Sequence, residues 1–167
     1  MNSNIKVMNI EEIMDIPKDY YIVSEPKLNI TKAIKEELDN KNLSIRGLAK
    51  CLGMKHPQII RVLGANNYKI DTLAKIIKGL EMELIIQTDE KEEIRFDDDF
   101  KAQIAYTVEK QRKHKDLSQS DLALKSGLHR PQIAKITNCK GYTIDTLLKT
   151  LNALNLDLLL DSKVKSS

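Results

Sequence analysis

Three histidines, two cysteines and a scatter of serines are the residues of this 167-residue chain that catalysis or metal binding would most readily use. Their spacing suits neither. His56, His114 and His129 are scattered, with no cysteine or carboxylate set around them at metal-ligand intervals. Cys51 and Cys139 have neither the paired spacing of a zinc site nor the density of a disulfide scaffold, and are read as reduced structural thiols. There is no glycine-rich phosphate loop and no nucleophile elbow. The expectation is a protein that is not an enzyme and needs no metal or cofactor.

The other chemistry on offer is that of Lys, Arg and Gln, which donate hydrogen bonds and, for the first two, carry charge. Residues 28–87 hold ten basic and six acidic side chains, and residues 101–161 hold the same numbers, so each stretch carries +4. Between them, residues 88–100 carry seven acids against two bases, and residues 1–27 carry five against three. A net charge of only +3 thus conceals two basic units separated by an acidic segment, the footprint of a chain that meets a polyanion.

An internal repeat explains the two basic units. Shifting the sequence by 74 positions lays residues 43–87 on residues 117–161 without a gap, and 16 of the 45 positions are identical. Ser44 and Ser118 stand where a helix N-cap is wanted, ahead of Leu48, Ala49 and Leu52 in one copy and Leu122 and Ala123 in the other. Gly53 and Gly127 end that short helix. Pro57 and Pro131 mark the start of a second, because proline is tolerated in the first turn of a helix and not inside one. Gly64 and Asn138, which accept the left-handed conformation, are expected to stop it. A longer helix follows with 3.6-residue periodicity, Ile70, Leu73, Ala74, Ile77 and Leu80 matching Ile144, Leu147, Leu148, Leu151 and Leu154. Asp71 and Asp145 fall in its first turn, where a carboxylate is favoured. Ile30, Ala33, Ile34 and Leu38 suggest a leading helix. Ile104 and Val108 suggest its counterpart, with Arg112 in place of the apolar Leu38.

Each copy ends on alternation: Met82, Leu84 and Ile86 in one, Leu156, Leu158 and Leu160 in the other. That pattern predicts a strand. A lone six-residue strand leaves backbone groups unpaired, so each needs a partner, and the simplest is the other copy. A linker of roughly 13 residues spans up to about 45 Å when extended, enough for pairing within one chain; pairing between chains would give a homodimer with four motifs. Ile85 and Leu159 point to the opposite sheet face, with Tyr20–Val23 and Ile94–Phe96 as strand-like candidates to cover it. Ile10, Ile13 and Met14 could form a helical turn or two before Pro17, and Lys163–Ser167 reads as a frayed tail. With no Trp and only two Phe, the core must be aliphatic. No apolar run reaches membrane-spanning length and no signal segment opens the chain, so a cytoplasmic location with no membrane partner is expected.

Two short helices joined by a glycine turn, a Pro-Gln-Ile helix start and a long Ile-Asp-Thr-Leu helix resemble the helix-turn-helix domains of Cro and lambda-type repressors, the XRE class. The resemblance covers about 60 residues in each half. It implies a mainly α chain of two tandem lambda-repressor-like domains at 28–87 and 101–161, each ending in a short β-strand, paired as a pseudo-two-fold ribbon. The flanking pieces are an N-terminal arm 1–27, the linker 88–100 and a tail 162–167. In this family the second helix of the motif enters the major groove of double-stranded DNA. By that resemblance Lys55, His56, Gln58 and Arg61 would face DNA in copy one. In copy two the set is His129, Arg130, Gln132 and Lys135, with Ser118, Gln119 and Lys140. Arg and Lys can donate to guanine, Gln can pair with adenine, and all can reach phosphates. Copy one has Ile45 where copy two has the phosphate-type Gln119, and Ile60 where copy two has Ala134, so DNA contact is expected of copy two above all. The implied function is a sequence-specific transcriptional regulator of repressor type. The terminal strands also resemble those of helix-turn-helix antitoxins, which implies the alternative of a module that neutralises a toxin protein and represses its own operon.

Overall fold

A computed structural model describes residues 16–96 and 99–163. Ile10, Ile13 and Met14 lie outside the described residues, as do Asp97, Asp98 and residues 164–167. Each copy of the repeat folds into four helices and a strand. The first comprises α1 (Glu25–Asn40), α2 (Ile45–Leu52), α3 (His56–Leu63), α4 (Ile70–Gly79) and β1 (Met82–Gln87). Then β2 (Glu93–Phe96) leads into α5 (Phe100–His114), α6 (Gln119–Ser126), α7 (Arg130–Thr137), α8 (Ile144–Ala153) and β3 (Asp157–Ser162).

Local chemistry sets the boundaries. The N–H of Gly47 donates to Ser44 Oγ at 2.9 Å, and that of Asp121 to Ser118 Oγ at 2.9 Å, so both serines cap their helices. Gly53 and Gly127 follow α2 and α6 with φ of 61° and 70°. Two expectations need correction. Gly64 and Asn138 keep negative φ (−83° and −98°); the left-handed residue after α3 and α7 is the next one, Ala65 (φ 54°) and Cys139 (φ 56°). The chain there finishes a full turn before reversing, with Asn66 N–H donating to Arg61 O and Lys140 N–H to Lys135 O. Second, Tyr20–Ser24 is a single π-type turn running straight into α1, not a strand. Pro26 sits in the first turn of α1, where its fixed φ and missing N–H suit a helix start.

The three strands form one antiparallel sheet in the order β2-β1-β3. In the β1–β3 ladder Ile85 faces Leu159, flanked by Leu84 opposite Leu160 and Ile86 opposite Leu158. Ile85 and Leu159 are related by the 74-residue shift, so the register is the one a two-fold axis through that pair would produce. Other contacts repeat the relation. Lys69 and Thr143, also 74 apart, form an isolated bridge in which Ile70 N–H donates to Tyr142 O (3.0 Å) and Ile144 N–H to Tyr68 O (2.8 Å). Lys27 Nζ lies 2.9 Å from Asp145, and Lys101 Nζ lies 2.9 Å from Asp71, two ion pairs exchanged by the same shift.

One hydrophobic cluster runs through both copies, joining Ile34, Ile59, Leu73 and Leu84 to Ile104, Ile133, Leu147 and Leu158. It is aliphatic, as the scarcity of aromatic residues requires. Arg112, in the place of Leu38, keeps its guanidinium largely covered by donating to both Glu109 oxygens (3.0 and 2.7 Å) and to Leu117 O (2.6 Å). A charged residue thus closes the end of α5 where a leucine closes α1.

Candidate nucleic-acid interface

The pair α2-turn-α3 and the pair α6-turn-α7 are held the same way. A Cβ added to Gly53 or Gly127 would meet no neighbour, so the positive φ alone calls for glycine at each turn. The N–H groups of Met54 and Leu128 close these turns onto Ala49 O and Ala123 O, both at 2.9 Å. Beyond the turn, α3 buries Ile59, Val62 and Leu63, and α7 buries Ile133 and Ile136. The opposite face of α7 leaves Arg130, Pro131 and Lys135 exposed, with Lys140 exposed in the loop that follows. On α3 the outward residues are Pro57, Gln58, Ile60 and Arg61. The helix is therefore presented edge-on to solvent, held by one apolar stripe.

The expected contact residues differ in how free they are. Lys55 and His129 occupy the N-cap positions, and their backbone N–H groups donate to Gln58 Oε1 (3.1 Å) and Gln132 Oε1 (2.9 Å). Each glutamine carbonyl is thereby held by its own helix, which turns the amide NH2 outward as a donor. Arg130, Lys135 and Lys140 make no ion pair or side-chain hydrogen bond among the described residues. Arg61, the copy-one counterpart of Lys135, is not free: its Nε donates to Asn67 O at 3.0 Å. His56 is half-buried and His129 exposed. Ser118 is exposed, its hydroxyl engaged as a cap. Asp121 completes a reciprocal capping box by accepting from Ser118 N–H (2.9 Å), and that backbone donor holds its carboxyl below the usual range. Gln119 is half-buried with Nε2 3.5 Å from Thr137 Oγ1. The carboxyl of Glu109 is held down chiefly by the Arg112 guanidinium, with Gln119 contributing less.

The copies diverge most at the centre of the outward face. Ile60 is 43% exposed on α3, whereas α7 carries Ala134 there. A large apolar group on a helix edge suits a dry contact better than a hydrated phosphate.

Near the symmetry-related bridge lies a residue that sequence reasoning did not single out. Asn67 Oδ1 accepts from Asp145 N–H (3.2 Å), so a loop of copy one caps the first turn of α8 in copy two. The counterpart of Asn67 is Gly141, which has no side chain to return the contact. Nothing in the spacing of either residue signalled this.

Cys51 and Cys139 are free and exposed, so neither packs in the core as a structural thiol would. Among the described residues no cluster of His, Cys, Asp and Glu could hold a metal ion, and no helix is long and apolar enough to cross a membrane.

Comparison with protein families matches residues 85–162 to a family described as a helix-turn-helix domain. The matched span runs from within β1 through β2 and the second copy to the end of β3, and so contains the α6-turn-α7 unit. Comparisons with curated proteins and with solved structures gave no match.

Proposed function

We propose that the chain is a DNA-binding transcriptional regulator of repressor type, in which one polypeptide supplies both halves of a pseudo-dimeric reader. The observation that carries the proposal is the exposed cationic face of α7, with Arg130, Lys135 and Lys140 unengaged, on the unit matched as a helix-turn-helix domain. In such motifs the second helix lies in the major groove with its N-terminal residues toward base edges, while the first crosses the backbone. On this reading Arg130, at the first position of α7, reaches guanine, and the Gln132 amide donates to a base acceptor. Ser118, Gln119 and Lys140 flank that helix and are assigned to phosphates. Copy one uses Lys55, His56, Gln58 and Arg61 in the same roles, with a weaker share of the affinity because Arg61 is already engaged.

The β1–β3 ladder and the Lys69/Thr143 bridge relate the two motifs by the same approximate two-fold. The natural target is therefore a pair of unequal half-sites about one helical turn, or about 34 Å, apart. The test is fluorescence anisotropy of the purified chain with duplex DNA across salt concentrations. Six to ten phosphate contacts would lower affinity by about three to five decades between 50 and 200 mM salt. Binding that ignores salt, or no binding at low salt, would reject the proposal.

A further inference from the structure

The approximate two-fold fails at the sheet edges. On one side α1 packs against β3, and Ser162 Oγ donates to Glu37 Oε2 at 2.6 Å, so that edge is closed. On the other side β2 has been added to β1 and forms the sheet edge, and α5 stands away from it. Between them opens a cleft of about 440 Å³. Ile94 and Phe96 from one face of β2, and Arg95 from the other, both line it, which means that it opens on the edge of the strand.

The backbone there has unused capacity. Thr88 N–H donates to Glu92 O at 2.9 Å, so that pair is a hydrogen-bonded one; in an antiparallel ladder such pairs alternate, next at Ile86/Ile94 and Leu84/Phe96. Glu93 and Arg95 therefore turn their N–H and C=O groups outward. No partner for these groups exists among the described residues. Across the cleft, α5 contributes Tyr106, 69% exposed, and Lys110, which forms no ion pair among the described residues. Gln103 Oε1, also from the lining, is buried without a donor. An unpaired strand edge facing a helix wall that carries an aromatic ring and a cation is the geometry in which an extended peptide adds as a further strand.

We propose that this cleft receives an extended segment of a protein partner, pairing with the backbone of Glu93 and Arg95. Alternate apolar side chains of that segment would rest against Tyr106 and Ile94, and a carboxylate would lie against Lys110. The site shares no residue with those assigned to DNA and does not depend on that assignment.

The probe is a displayed library of random ten-residue peptides, selected against the full-length chain. Enriched peptides are expected to alternate apolar residues and to carry an acid. Adding one should slow hydrogen exchange at the amides of Glu93 and Arg95, which exchange fast in the free chain. Arg95→Pro removes an outward N–H together with the guanidinium that pairs with Glu83 and Glu93, and should weaken binding at least tenfold, while Arg95→Gln, which loses the same ion pairs and keeps the N–H, retains it. Lys110→Glu should shift the selected peptides from acidic to basic. Thermal melting of each variant checks that it folds; should Arg95→Pro not fold, the exchange measurement and Lys110→Glu decide. The proposal is overturned if no peptide is enriched, or if binding ignores Arg95→Pro and Lys110→Glu. It is equally overturned if the Glu93 and Arg95 amides are already protected in the free chain, which would mean that this chain or a second copy fills the edge.

Discussion

Removing the cations of one copy at a time should have unequal effects, and the difference can be worked from a single hydrogen bond. Arg130→Ala with Lys135→Ala deletes two side chains that have no competing partner within the described residues. If one reaches a base edge and the other a phosphate, the loss is about 2–4 kcal/mol, or roughly 30-fold to 1,000-fold in affinity. The salt slope should also fall by about 0.9 for each phosphate contact removed. Lys55→Ala with Arg61→Ala deletes the equivalent pair. Arg61, however, must first release Asn67 O, at a net cost of about 1 kcal/mol, so its contribution to binding is smaller by about that amount. The second double variant should therefore lose roughly fivefold less affinity than the first. Anisotropy titrations of both variants on one duplex, at two salt concentrations, read the ratio. Equal losses, or a larger loss from Lys55 and Arg61, would refute the assigned imbalance between the copies.

Three further outcomes follow from the fold. Because one hydrophobic cluster spans both copies, thermal unfolding should be a single transition, and Leu84→Ala should lower stability by about 2–5 kcal/mol in both halves together; two separate transitions by calorimetry would contradict this. Ser118→Ala should cost about 1 kcal/mol through the lost cap of α6, measured by urea denaturation, with Ser118→Asp close to wild type. Glu109 is held below its ordinary titration range by Arg112, so its stabilisation is complete above about pH 4.3 and is lost as pH falls through the depressed folded value. Glu109→Gln should accordingly flatten the acid limb of a stability-versus-pH curve, and an unchanged limb would count against that pair.

Much of this architecture was legible because the chain states it twice. A serine cap, a glycine turn, a proline near a helix start and a 3.6-residue stripe are each weak signals, yet their recurrence at one fixed spacing defines eight helices and two strands. The alternation of Met82, Leu84 and Ile86 announced β1, and an unpaired strand's need for a partner pointed to β3. What the sequence concealed depends on geometry between elements. Tyr20–Val23 and Ile94–Phe96 are related by the same shift and have similar apolar content. Only the second becomes a strand, because it can fold back on β1 through the turn at Thr88–Glu92. The first runs straight into α1. The left-handed residue after α3 is Ala65 rather than Gly64, since the hydrogen bonds that end the helix decide which residue reverses the chain. The Arg61–Asn67 and Asn67–Asp145 contacts likewise join a helix to loops whose paths no spacing rule supplies.

Within the candidate interface, residue types were readable and their availability was not. Gln58 and Gln132 look alike in sequence to any exposed glutamine, but their carbonyls are held by the backbone N–H of the N-cap residues Lys55 and His129. That leaves them donors first and acceptors second. Arg61 and Lys135 occupy the same repeat position, yet only Arg61 is tethered.

On the proposed reading, a single chain presents two related helices to one face of a DNA duplex. Selection of bound sequences from a pool of random duplex DNA, followed by the mass of the resulting complex, tests it most directly. The expected result is two unequal half-sites about one helical turn apart, the stronger protected by copy two, with one chain per duplex. A single isolated half-site, or no enrichment over the starting pool, would contradict it.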